Sequence, residues 1–233
     1  MKRLHCSDAP DAPAAAEHPD CDWRDSEEPI STAPTSWHPL TQPLLWQGSE
    51  EDALQPGAPT GGLAPAWRLM LLSNGSVTRH LQLLTGLRVE LECLEMRNIG
   101  GGAAGLPAAA RLIPGPLVQR QVFLRSPEHA AAGQGAVLVY AASWWSAAEV
   151  DSYLADKALP IWASLSAART ELYHDIRSVS CGSSPFLQQQ FGQPGPFWGR
   201  QYLFWRGERP LTLIHEVFSP ALQRFLGPLS PDP

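Results

Sequence analysis

Residues 200–219, RQYLFWRGERPLTLIHEVFS, alternate in polarity on either side of Gly207-Glu208. Two alternating runs joined by a short glycine turn are the pattern of a β-hairpin. LVQRQVFLRS (117–126) and GAVLVYAASWW (135–145), separated by a polar stretch, read as a second hairpin. Upstream, Val89, Leu91 and Cys93 alternate with Glu90 and Glu92, which describes a half-exposed strand. Strands that arrive as antiparallel pairs, with helices between the pairs, predict an α+β fold on a mostly antiparallel sheet.

The helical pattern is clearest after Asn74-Gly75. Ser76 suits an N-cap, Val77, Leu81 and Leu84 share one face, and Gly86 ends the run. The stretch from Trp67 before that turn reads as a helix or a short apolar segment. Ser146 with Glu149 three residues on reads as a capping box opening another helix. LPIWASLSAARTELYHDI (159–176) continues the helical period through Ile161, Leu165, Ala168 and Leu172. Residues 99–116 form a Gly/Ala/Pro connection whose GGGAAG lacks the crossover helix and partner acid of a dinucleotide site.

Charge divides the chain of 233 residues. Residues 1–60 carry a balance of −8, and the remainder +2. The acidic, proline-rich segment 1–60 is expected to be a disordered tail, with Trp37, Leu40, Leu44, Leu45 and Trp46 as residues able to dock on the body. A single domain is expected over 61–233. No basic patch suits a nucleic-acid partner. No apolar run approaches the roughly 20 residues that span a bilayer, and acids stand where a signal peptide needs an apolar core. The four cysteines show no C-x-x-C spacing and no paired histidines, which argues against a zinc site. A soluble, cytoplasmic monomer is the expectation.

Two charges stand inside apolar strands. Arg120 shares its face with Val118, Val122 and Leu124, and Glu216 shares its face with Thr212, Ile214 and Phe218. Buried charges are costly unless paired. Either the two pair as a buried salt bridge, or they line a closed pocket for a small polar anion, arginine binding a carboxylate through two parallel hydrogen bonds. His215 alternates to the opposite face. His174 and Asp175 look like helix-end or loop residues. Ser73 and Ser76 lack the context of a hydrolase nucleophile. Arg200 suits surface charge, or a second cation if it turns inward.

LMLLSNGSVTRHLQLLTG, RQVFL, VYAASWW, TELYHDI, FWGRQYLF and LIHEVFSP, in this order, resemble the chorismate lyase (chorismate–pyruvate lyase) family, in its photosynthetic-prokaryote branch, over about residues 66–222. The resemblance implies a single α+β domain with helical flaps over a buried ligand site. It also implies conversion of chorismate to 4-hydroxybenzoate and pyruvate for quinone biosynthesis, plastoquinone in that branch, with no metal or organic cofactor. By the same resemblance Arg120 binds the ring carboxylate and Glu216 the ring hydroxyl, with Val77, Thr78 and Ile161 as further contacts.

Two positions depart from the family. Trp162 stands where a glycine is usual, and Ala141 where the enterobacterial type has another arginine. Arg79, Arg177 and Arg200 are the candidates to replace that cation. Arg120→Ala and Glu216→Ala are expected to lose turnover and stay folded. The alternative is a non-catalytic binder of small aromatic acids with the same fold.

Overall fold

The computed structural model describes residues 23, 37–41, 43–101, 104–127, 136–154, 156–157, 159–167 and 172–229. Among these, β1 (Leu44–Gly48), β2 (Glu90–Gly100), β3 (Leu117–Ser126), β4 (Ala136–Ser146), β5 (Tyr173–Gly182), β6 (Phe197–Arg206) and β7 (Arg209–Phe218) form one sheet. Its order is β1-β5-β6-β7-β4-β3-β2, and every neighbouring pair is antiparallel. The helices are α1 (Glu50–Leu54), α2 (Pro65–Leu72), α3 (Val77–Thr85), α4 (Val150–Tyr153), α5 (Ile161–Ala167), α6 (Pro185–Phe191) and α7 (Gln223–Leu226). The expected α+β class and antiparallel sheet are what the chain forms.

Both hairpins form as their alternation requires, and Gly207 turns the second with a φ of 57°, a region glycine enters at little cost. α3 begins and ends where expected. The Ser76 hydroxyl accepts from the Arg79 N–H at 3.2 Å, and Gly86 closes the helix at a φ of 70°.

Apolar side chains cover both faces of the sheet. On the front, Trp67, Met70 and Leu71 of α2, Leu81 of α3 and Leu226 of α7 pack against Val118, Leu124, Trp145, Ile214 and Phe218. On the back, Leu40, Ile113 and Leu187 pack against Phe123, Tyr140, Trp144, Leu213 and Val217. This double coverage is why β3, β4 and β7 are buried on both sides.

Three expectations are corrected. The helical period read through residue 176 stops at α5, and Tyr173–Gly182 is strand β5. The sheet register shifts between Ile176 and Ser178, so the inward residues are His174, Ile176, Val179 and Cys181. That bulge breaks the period of two by which a strand is read. Ser146 ends β4 rather than capping a helix, and α4 starts after Glu149 with no side-chain cap. The folded body also begins before residue 61. β1 pairs with β5, α1 carries a capping box between Ser49 and Asp52, and Leu40, Ala53 and Thr60 are buried. The docking expected of Trp37, Leu40 and Trp46 occurs: Trp46 packs on Trp198, and Trp37 lies edge-on to Trp144 and His215. The remainder of the expected tail, apart from Trp23, lies outside the described residues.

His215 faces the back, as its alternation predicts, and burial holds its imidazole down at about 3. The unfolded chain takes up that proton near pH 6.5, so stability is full above that value and falls as the pH drops toward 3. The loss approaches about 1.4 kcal/mol per pH unit inside that window. His174, lowered to about 3 by burial and by Arg200, acts in the same direction. His215→Leu is therefore expected to flatten, without abolishing, the decline in urea midpoint between neutral and mildly acidic pH. An unchanged slope would show that His215 does not contribute.

Candidate active site

The front face carries a cavity whose floor follows from strand register. Arg120 of β3 lies opposite Ser143 of β4, and Glu216 of β7 lies opposite Ala141 of β4. The two charged residues thus flank β4, two strand spacings or about 10 Å apart across the sheet. Ala141 and Ser143, both small, form the floor between them. Val77 and Thr78 at the start of α3, and Ile161 and Trp162 at the start of α5, line the same space from above. Its open volume is about 50 Å³.

Arg120 is 1% exposed. Its Nη2 donates to the carbonyls of Lys157 and Leu159, its Nε has no partner, and no described carboxylate pairs with it. Burial lowers its pKa to about 10, with Asp156 opposing the shift, so the guanidinium stays charged at neutral pH. A buried cation with no salt bridge to a described carboxylate, beside a cavity, favours an anion there.

Glu216 is satisfied differently. Arg200 Nε donates to Glu216 Oε2 at 2.8 Å, and the Tyr202 hydroxyl donates to Oε1 at 2.9 Å. Arg200 also donates through Nη1 to the carbonyls of Ser73 at 2.9 Å and Leu71 at 3.4 Å. These carbonyls close α2, so the cation sits at a helix C-terminus, where it is favoured. The same contact fixes the turn that aims α3 over the cavity.

Of the two readings of the strand charges, a direct pair between Arg120 and Glu216 does not form. Glu216 pairs with Arg200, and Arg120 lines the cavity with no described carboxylate in a salt bridge to it. Val77, Thr78, Ile161, Trp162 and Ala141 all line the cavity with them. Arg200 is buried but stands behind Glu216, not on the lining. Arg79 is exposed, and Arg177 pairs with Asp175 at 3.1 Å, so neither reaches the site.

Tyr202, Phe204 and Ser143 are lining residues the sequence reading missed. Tyr202 follows Arg200 by two positions on one strand, so alternation alone puts it on the same face.

A family model described as chorismate pyruvate-lyase, Rv2949c-like, matches residues 71–226. The chain belongs to this family. An uncharacterized protein ycf21 of Cyanophora paradoxa is 35% identical over 180 residues, spanning 77% of this chain and 90% of that protein. The ycf21 protein of Pyropia yezoensis is 32% identical over 68% of this chain and 83% of its own length. Among solved structures, the effector domain of PhnF from Mycobacterium smegmatis matches 65% of this chain and 92% of its own, at 12% identity and a TM-score of 0.47. Among the described residues no helix is long and apolar enough to cross a membrane.

Proposed function

We propose that this protein is a chorismate lyase, converting chorismate to 4-hydroxybenzoate and pyruvate, with the product entering quinone (plastoquinone) synthesis. The observation that carries this reading is the buried guanidinium of Arg120, which has no described carboxylate partner and lies across a floor of small residues from Glu216, a carboxylate already held in place. A para-substituted ring acid has the matching polarity: a carboxylate for Arg120 at one end and a hydroxyl donor for Glu216 at the other. Membership of the family supports the same chemistry.

In the reaction the bond from a ring carbon to the enolpyruvyl oxygen breaks, and the neighbouring carbon bearing the hydroxyl gives up its hydrogen as a proton. The departing enolpyruvate gains a proton to become pyruvate, and the ring becomes aromatic. No nucleophile is required. Arg120 fixes the ring carboxylate, Glu216 fixes the hydroxyl, and holding the substrate in a reactive geometry supplies much of the acceleration.

The second carboxylate, on the side chain, faces neither Arg79 nor Arg177, and Arg200 is committed to Glu216. Val77 and Thr78 in the first turn of α3 line the cavity, and their N–H groups are the donors proposed for it. Ala141 lies directly opposite Glu216, where a large cationic side chain would crowd the floor.

The test is incubation of purified protein with chorismate, following 4-hydroxybenzoate and pyruvate by chromatography. Equimolar products are expected. Absence of both, with 4-hydroxybenzoate still raising the melting temperature, would reduce the protein to a binder of aromatic acids.

An open volume of about 50 Å³ is small against the roughly 300–1,000 Å³ of typical ligand pockets. The cover formed by residues 159–162 and α5 must therefore shift to admit or release a ring. Trp162, 40% exposed and 6.4 Å from the Phe204 ring, is part of that cover. Trp162→Gly is expected to speed 4-hydroxybenzoate dissociation by about tenfold, as gating by a lid predicts. Stopped-flow displacement reads this directly, and an unchanged rate would remove Trp162 from the gate.

A further inference from the structure

We propose that Tyr202 is the specificity-determining residue at the hydroxyl end of the cavity, making that end an acceptor-only surface which selects ring acids bearing a para hydrogen-bond donor. The inference rests on the aromatic-acid reading of the site and adds a residue to it.

An ionised carboxylate offers about four lone-pair positions and no donor, while a phenol has one donor and two lone pairs. The Tyr202 hydroxyl spends its only proton on Glu216 Oε1, and Arg200 Nε occupies a position on Oε2. Whatever Glu216 and Tyr202 still present to the cavity can only accept. A ligand hydroxyl satisfies such a surface. A methoxy oxygen meets it acceptor to acceptor.

The surroundings keep that proton in place. Burial and the adjacent carboxylate push the Tyr202 phenol well above its usual pKa, so it stays protonated. His174 stacks on the Tyr202 ring at 4.1 Å and 21° between planes, and Phe204 meets both rings edge-on at 5.3 Å. The Arg200 guanidinium lies 4.9 Å from the centre of the same ring. Held from these sides, the ring keeps its hydroxyl oxygen beside Glu216 Oε1. Tyr202 thus acts through Glu216 as a positioning residue as well as bordering the ligand.

Calorimetric titration of wild type and Tyr202→Phe with 4-hydroxybenzoate, benzoate and 4-methoxybenzoate tests this. Wild type is expected to bind 4-hydroxybenzoate more tightly than benzoate and 4-methoxybenzoate least. Tyr202→Phe should weaken 4-hydroxybenzoate about tenfold, the scale of a hydrogen bond at a charged group, with benzoate unchanged within about twofold. A purely structural role would move both ligands together. Equal weakening, or an unchanged preference for the hydroxyl, overturns the inference while leaving the ring-acid site standing. Should the variant not fold, the wild-type series decides: 4-methoxybenzoate binding as tightly as 4-hydroxybenzoate also overturns it. Wild type binding none of the three acids removes the underlying reading itself.

Discussion

Arg120→Ala is expected to lower chorismate turnover by at least about 100-fold while leaving the melting temperature at or near that of the wild type. The first half follows from preorganised charge. A buried donor aimed at an anion is worth about 10²–10³ in rate where it has been removed from other sites. The second half follows because no described carboxylate forms a salt bridge with Arg120, Asp156 acting on it without direct pairing, so that alanine breaks no ion pair. Deleting the guanidinium removes a desolvated cation, and this offsets the lost packing and the lost hydrogen bonds to Lys157 and Leu159. Arg120→Met keeps the side-chain volume and should be at least as stable as wild type. Arg120→Lys restores the charge without the planar fork, and should recover little of the activity. Steady-state assays beside thermal melts separate the two halves. Near-wild-type turnover in Arg120→Ala would end its assignment to the carboxylate, and a large fall in melting temperature would mean that the arginine serves the fold.

The fold was legible wherever side chains repeat with the period of their element. β6, β7, β3, β4 and α3 were readable because one phase of alternation, or one helical stripe, runs through most of each, the register shifts at Leu124/Arg125 and Phe204/Trp205 falling near strand ends. β5 was not, because the bulge after Ile176 puts His174 and Val179 on the same face despite their odd spacing. β1 was masked by composition: five residues of edge strand inside an acidic, proline-rich segment carry too little pattern to stand out. The candidate site divides in the same way. Strand phase aimed Arg120 and Glu216 at the front face, and the resemblance named Val77, Thr78 and Ile161. The hairpin reading already puts β6 beside β7, but which residue faces Glu216 depends on register. The pairing shifts between Phe204 and Trp205, and that shift sets Arg200 directly opposite Glu216.

That register changes what Glu216→Ala should do. The sequence alone points to a variant that loses turnover and stays folded. The structure instead puts the guanidinium of Arg200, 0% exposed, against this carboxylate, and alanine strands it. Breaking a buried pair from one side costs about 3–5 kcal/mol. A typical domain has only about 5–15 kcal/mol of stability in total. Glu216→Ala is therefore expected to unfold at markedly lower urea, so its inactivity by itself would say little about chemistry. The informative variant removes both charges. Arg200→Met with Glu216→Leu should recover most of the lost stability, since a buried pair replaced by apolar groups of similar size is often neutral or better. It should still lack turnover, because no carboxylate remains to hold the ring hydroxyl. If Glu216→Ala proves as stable as wild type, the pair does not hold this part of the sheet together. If the double variant keeps its turnover, Glu216 is a structural ion and the hydroxyl end of the cavity lies elsewhere.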